Sequence, residues 1–137
     1  MARDETAVLR DHGINPSAQR VAVAQYVLHT KDHPSADEVW TRVRERFPHL
    51  SRATVYNTLN LFVEKGLLRQ FALTEGRVVF DPKTDDHHHF IDEESGRIHD
   101  VAWDAVRVSN VSKLEGFDVR EYQVVMRGKR TRKKRRS

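Results

Sequence analysis

The sequence predicts an α+β chain: an N-terminal winged helix-turn-helix over residues 1–80, then a small α/β unit over residues 86–127. Three observations predict it. Residues 1–66 carry apolar positions at helical spacing, punctuated by helix-start and helix-stop residues. Two β-prone runs, LLRQFAL and RVVFD, follow at once and meet at Thr74-Glu75-Gly76, as the strands of a hairpin do. Beyond Pro82 the pattern changes, and HHHFID faces RIHDVAW across the turn residues Glu94-Ser95-Gly96. Three or four short helices followed by a hairpin is the order a winged helix requires.

The first helix runs from Glu5 to His12 and stops at Gly13, a residue suited to a left-handed helix cap. Pro16 suits the first turn of a second helix, carried through Gln19, Val23, Tyr26 and Val27. Ser35 opens S-A-D-E, a capping box in which Ser35 and Glu38 satisfy each other's free amides. Val39, Trp40, Val43 and Phe47 continue that helix, and Pro48 ends it. Ser51 is the next N-cap, Val55, Leu59, Phe62 and Val63 form one apolar stripe, and Gly66 closes it. In the second half, Ala105 to Leu114 predicts a helix and Phe117 to Met126 a last strand. A unit of that size is small for independent stability, and oligomerisation is a usual remedy.

Composition sets limits. The chain has 137 residues, 38% apolar and 32% charged, enough Val, Leu, Phe and Trp for small cores. It has no cysteine, which excludes disulfides and thiolate metal sites. No apolar run approaches the roughly 20 residues that span a bilayer, and MARDETAVLR is not a secretion signal, so a cytoplasmic location and no membrane partner are expected. The net charge of +4 is uneven. The tail from Arg127 carries eight Lys or Arg and no acid, whereas residues 81–126 carry eleven acids against five bases. Such a split suits cation binding in the middle and polyanion contact elsewhere. Residues 128–137 are expected to be a disordered basic tail.

The helix SRATVYNTLNLFVEKG has an apolar stripe and a polar opposite face. Ser51, Arg52, Thr54, Tyr56 and Asn57 fall at its cap and in its first two turns, the part of a helix-turn-helix that enters the DNA major groove. Arg suits guanine edges or phosphate, and Asn suits adenine edges. Arg20 and Arg69 add phosphate-binding candidates. An ordinary amphipathic helix with a solvated face fits the same periodicity.

Three histidines in mid-chain, flanked by aspartates, pose a metal question. Side chains alternate along a strand, so His87 and His89 share a face and His88 takes the other. Asp100 falls on the partner strand near His89, and Asp81 precedes the run by six residues. Imidazole with carboxylate suits Fe(II), Mn(II) or Zn(II), and binding weakens as His protonates below pH of about 6.5. A solvated His/Asp loop and a non-specific metal scavenger fit the same residues. His88 with Asp86 and His99 is a further cluster candidate on the opposite face.

INPSAQRVAVAQYV, HPSADEVW, SRATVYNTLNLFVEKGLL, FDPKTDDHHHFIDEESGRIHD and VVMRGK, in that order, resemble the ferric uptake regulator superfamily across most of residues 10–130. The resemblance implies a homodimeric transcription regulator. Its winged helix would bind double-stranded DNA at an A·T-rich palindromic operator, and its α/β domain would dimerise. It also implies a regulatory metal at a hinge, here residues 81–85. In the peroxide-sensing branch the ligands are three His and two Asp, matching His33, Asp81, His87, His89 and Asp100. Iron-sensing members more often carry Glu at the acidic positions, so the two Asp favour a peroxide-sensing repressor with Fe(II) or Mn(II), Zn(II) also fitting in vitro.

Two departures qualify the resemblance. Most members hold a structural zinc with two CxxC pairs. Here Asp92 and Ser95 occupy the first pair's positions and the second pair is missing, so no structural zinc is expected. Cysteine-free members with an HHH run also resemble the iron response regulator branch, which makes iron- or haem-responsive regulation the alternative, with His88 or its neighbours as haem ligand. An enzyme is not expected: a His/Asp site can hold catalytic iron, but no nucleophile–base pair or substrate pocket is evident.

Overall fold

Each helix begins at a side chain that accepts a hydrogen bond from its first turn. In the computed structural model, which describes residues 4–131 except 75, Asp4 accepts from the Thr6 amide and Ser17 from the Arg20 amide. Ser35 accepts from the Glu38 amide and Ser51 from the Thr54 amide. These caps start α1 (Glu5–Asp11), α2 (Ala18–Val27), α3 (Ala36–Val43) and α4 (Arg52–Glu64). At α3 the capping box is complete, since Glu38 Oε1 also accepts from the Ser35 amide at 3.2 Å. Gly13 and Gly66 follow α1 and α4 with φ of +74° and +82°, values that favour glycine.

Two boundaries differ from those the sequence predicts. Pro16 stands before the Ser17 cap, outside α2 rather than in its first turn. α3 ends at Val43, short of Pro48. Val43 O receives both the Arg46 and the Phe47 amides, which folds the chain into a turn and leaves Phe47 exposed.

The chain divides between Thr84 and Asp85 into two units. In the first, the four helices enclose Leu9, Val23, Val27, Val39, Val55, Leu59 and Phe62, all fully buried. β1 (Arg69–Thr74) and β2 (Arg77–Asp81) form the antiparallel hairpin, with Arg69 opposite Asp81. Helices plus hairpin give the winged helix-turn-helix, with α4 as its second helix. The Phe80 amide donates to Pro34 O at 2.9 Å, pinning the segment before α3 to the end of β2.

The second unit is a three-stranded sheet of order β4–β3–β5. β3 (His87–Asp92) is central, antiparallel to β4 (Ile98–Ala102) and parallel to β5 (Val125–Gly128). The predicted helix over Ala105–Leu114 is absent. Two short 3-10 turns, Trp103–Ala105 and Val111–Lys113, stand there instead. Val106, Val108 and Val111 are β-branched, and Asn110 adopts φ +69°, through which no α-helix continues. The last strand is shorter than Phe117–Met126 and begins at Val125. The amide of the preceding residue, Val124, donates to the His88 ring rather than to a neighbouring strand. Residues 132–137 of the basic tail lie outside the described residues. No helix among the described residues is long and apolar enough to cross a membrane.

A carboxylate clasps the turn between β3 and β4. Asp92 Oδ2 accepts from the Ser95 hydroxyl at 2.9 Å and Oδ1 from the Glu94 amide at 3.0 Å. The Gly96 amide donates to Asp92 O at 2.7 Å, and the Glu93 amide donates to Gly128 O on β5 at 2.8 Å. Asp92 and Ser95 are the positions where the resembled family carries a cysteine pair. The Ser95 hydroxyl first, then the Glu94 amide, hold the Asp92 carboxyl below its ordinary value of 3.8.

Ser35→Ala removes the Oγ that accepts from the Glu38 amide and is expected to lower unfolding free energy by about 1 kcal/mol, read as the shift of a urea transition. The Asp92 contribution is present above the ordinary carboxylate range and is lost as pH falls through the lowered folded value. Asp92→Asn is therefore expected to unfold at lower urea than wild type at neutral pH, with the gap closing on acidification below pH 3.8.

Candidate metal centre and nucleic-acid face

Each unit builds a His–Asp cluster of its own, with every imidazole buried. In the first, the bond from Phe80 N–H to Pro34 O brings residues 33–34 beside 80–81. His33 Nε2 then lies 3.1 Å from Asp81 Oδ2, each side chain only 4% exposed. Asp81 Oδ1 accepts from the Lys83 amide at 2.9 Å, which turns Oδ2 towards His33. His33 has φ +52°, unusual for a non-glycine residue and costing on the order of 1 kcal/mol or more. It precedes Pro34, which already disfavours the right-handed helical region. The surroundings over-determine this conformation, and it aims the imidazole at the carboxylate.

In the second unit His87 and His89 point to the same side of β3, ring centroids 4.7 Å apart. His89 pairs with Asp100 across the ladder. Asp100 Oδ1 lies 3.3 Å from His87 Nε2 and 3.6 Å from His89 Nε2. The other nitrogen of each ring is held: His87 Nδ1 donates to Asp85 O and His89 Nδ1 to Gln123 Oε1, both at 2.7 Å. Such bonds fix the tautomer and leave Nε2 as the lone-pair donor, as in metal sites where the imidazole's far nitrogen is anchored. Both rings are buried, and Asp100 is about one-third exposed.

His88 does something else. Its Nδ1 accepts from the Val124 amide at 2.9 Å, so its proton sits on Nε2, which donates to Trp103 O at 3.2 Å. The ring stacks on Trp103, centroids 4.6 Å apart and planes 15° from parallel. Both nitrogens are engaged, so ligation of haem or a second metal by His88 would have to displace one of these bonds. Asp86, His88 and His99 do not form a ligand cluster among the described residues. His88 is a scaffold residue that sequence alternation placed on the correct face without revealing its task.

The expected nucleic-acid residues separate into two groups on the first unit. Arg20, Thr54 and Asn57 line a polar groove with Asn15, Ser17 and Gln19. Arg20 Nη1 donates to Asn15 O at 3.0 Å. Ser51 serves as cap: its Oγ accepts from the Thr54 amide and pairs with Thr54 Oγ1 at 2.8 Å. Arg52 and Tyr56, one turn apart on α4, instead reach Asp37 on α3. Arg69 lies over the Phe71 ring, 5.0 Å from its centroid. Sequence reasoning missed Gln123 and Asp37. Neither carries a local signal, because both act on residues far away in the chain.

The sequence matches the profile of the ferric uptake regulator family over residues 11–127. It is 30% identical over 128 residues to the peroxide operon regulator of Bacillus subtilis, covering 92% of this chain and 88% of that one. The fold resembles the Vibrio cholerae ferric uptake regulator, with TM-score 0.72, 23% identity and coverage of 92% and 99%. It also resembles the Pseudomonas aeruginosa ferric uptake regulator solved with manganese, with TM-score 0.66, 22% identity and coverage of 95% and 100%.

Gln123→Ala removes the acceptor of the His89 Nδ1–H bond without removing a ligand candidate. It is expected to weaken Mn(II) binding by about 10- to 100-fold in isothermal titration, with an unchanged far-UV circular dichroism spectrum.

Proposed function

This chain belongs to the ferric uptake regulator family, a family of transcription regulators rather than enzymes, and on that premise we propose that it is a dimeric, metal-dependent DNA-binding repressor. The reading is carried by one observation. Each unit presents a His–Asp cluster in which second bonds fix the side chains: Lys83 N–H on Asp81, and Asp85 O and Gln123 on His87 and His89. The donor set is imidazole and carboxylate without thiolate, which fits Fe(II), Mn(II) or Zn(II).

We assign His33, Asp81, His87, His89 and Asp100 to one regulatory ligand set. When bound, a divalent cation supplies attraction that is complete only if both clusters serve it together, so the DNA-competent population rises. The chain's own residues do the rest. His33 and Asp81 belong to the DNA-reading unit, on the strand and segment that flank α3. Arg52, Tyr56, Asn57 and Arg20 supply groove and phosphate contacts. Leu114 and Phe117, 51% and 75% exposed on the second unit, suit burial against a second copy.

The finer reading is peroxide-responsive repression, with Fe(II) as the sensing ion and Mn(II) as a less reactive substitute. Both acidic ligand candidates are Asp, and a relative at 30% identity is a peroxide operon regulator. The haem alternative would require His88 to give up one of its two hydrogen bonds, to the Val124 amide or to Trp103 O.

Two experiments test this. His33→Ala and His89→Ala are expected to remain dimeric by light scattering and to lose Mn(II)-stimulated binding to a duplex enriched from a random pool. Wild-type affinity in both variants would remove the regulatory ligand set. Peroxide added to anaerobically prepared protein is expected to abolish DNA binding of the Fe(II)-loaded form and spare the Mn(II)-loaded form. Equal survival of both forms would sink the peroxide reading and leave the metal-dependent one.

A further inference from the structure

We propose that Asp37, in the first turn of α3, is a specificity-determining residue: it grips one edge of Arg52 and keeps that side chain from binding phosphate indiscriminately. The proposal rests on the DNA-binding reading above.

A single oxygen carries the arrangement. Asp37 Oδ1 accepts from Arg52 Nε at 3.0 Å, from Arg52 Nη2, and from the Tyr56 hydroxyl at 3.2 Å. Arg52 also lies over the Trp40 ring, 5.5 Å from its centroid, and Trp40 is itself anchored by Nε1–H donating to Leu50 O at 2.9 Å. The guanidinium is therefore held on an edge and a face. Asp37 and Arg52 are both more than half exposed, and a pair of that kind contributes little to folding. Stability does not account for three donors converging on one solvent-exposed oxygen.

Recognition does account for it. Arg grips phosphate best through two parallel N–H bonds, and the Nε–Nη2 edge is one of the edges that makes them. Asp37 occupies that edge. What remains is Nη1 and the outer Nη2 hydrogen, pointing in a fixed direction from the first turn of α4. A fixed pair of donors meets the O6 and N7 acceptors of a guanine at one register, and meets a phosphate only where it lies in that same direction. The carboxylate adds repulsion towards any phosphate that approaches Arg52 out of register. Tyr56 is held by the same oxygen, so the two DNA-facing side chains of α4 are positioned together.

Wild type, Asp37→Ala, Asp37→Asn, Arg52→Ala and the Asp37→Ala/Arg52→Ala pair, all Mn(II)-loaded, are titrated by fluorescence anisotropy across a salt series. The probes are a duplex enriched by wild type from a random pool and a scramble of it. Asp37→Ala and Asp37→Asn are expected to bind the scramble more tightly, with the log–log salt slope steeper by about 1. The ratio of enriched to scrambled affinity is expected to fall about tenfold. Both effects vanish in the Arg52→Ala background.

An unchanged ratio in both Asp37 variants overturns the proposal. So does an effect that persists without Arg52, which would make Asp37 a bare repulsive charge. Wild-type affinity of Arg52→Ala for both probes overturns it as well, since Asp37 would have nothing to position. Failure of wild type to enrich any duplex overturns the DNA reading itself, and this proposal with it.

Discussion

The two-residue period of a β-strand is the constraint on which this architecture depends. Three histidines in a row on the central strand cannot share a task, because successive side chains leave by opposite faces. His87 and His89 turn their Nε2 atoms to Asp100, while His88 turns to Trp103 and the Val124 amide. The same residue run thus supplies a donor pair on one side and a structural bracket on the other. A one-residue slip in register would exchange the two and lose both. The bracket guards against that slip. Val124 N–H to His88, His89 N–H to Val124 O, and His89 Nδ1–H to Gln123 Oε1 lock β3 to the start of β5 at three adjacent points.

The other cluster uses backbone conformation instead of strand alternation. His33 sits left-handed before a proline, and a single bond from Phe80 N–H to Pro34 O brings it against Asp81. Its strain is local, and the capping box immediately after it, where Ser35 and Glu38 start α3 cleanly, offsets part of it. Sequence, turn and helix therefore agree on the placement of one imidazole. α3 then carries Asp37 in its first turn, two residues after the same cap, so helix registration at Ser35 bears on both the buried His33–Asp81 pair and the exposed Asp37–Arg52–Tyr56 group.

Most of the fold was legible because its signals are local. Caps at Ser35 and Ser51, stops at Gly13 and Gly66, and the hairpin turns each depend on a few neighbouring residues. The segment 105–126 was not legible, and for one reason. Its valines and its polar residues fit a weak helix or a weak strand equally well. What decides the matter is distant: His88 captures the Val124 amide and Asn110 turns left-handed. The site divides in the same way. Alternation put His87, His89 and Asp100 together from spacing alone. His33 needed the resemblance, since no spacing rule links it to residue 81. Asp37 and Gln123 had no sequence signal, because each acts across a fold that the pattern does not specify in detail. His88 shows the opposite error, a residue type that suggests ligation and a geometry that uses it for packing.

The Asp92–Ser95 clasp has a consequence for how this chain tolerates its surroundings. A β-turn fastened by a carboxylate, a hydroxyl and two amides contains nothing that a thiol oxidant can attack or a zinc chelator can strip. Under the metal-dependent reading proposed above, emptying the imidazole clusters would leave the bonds of this turn in place.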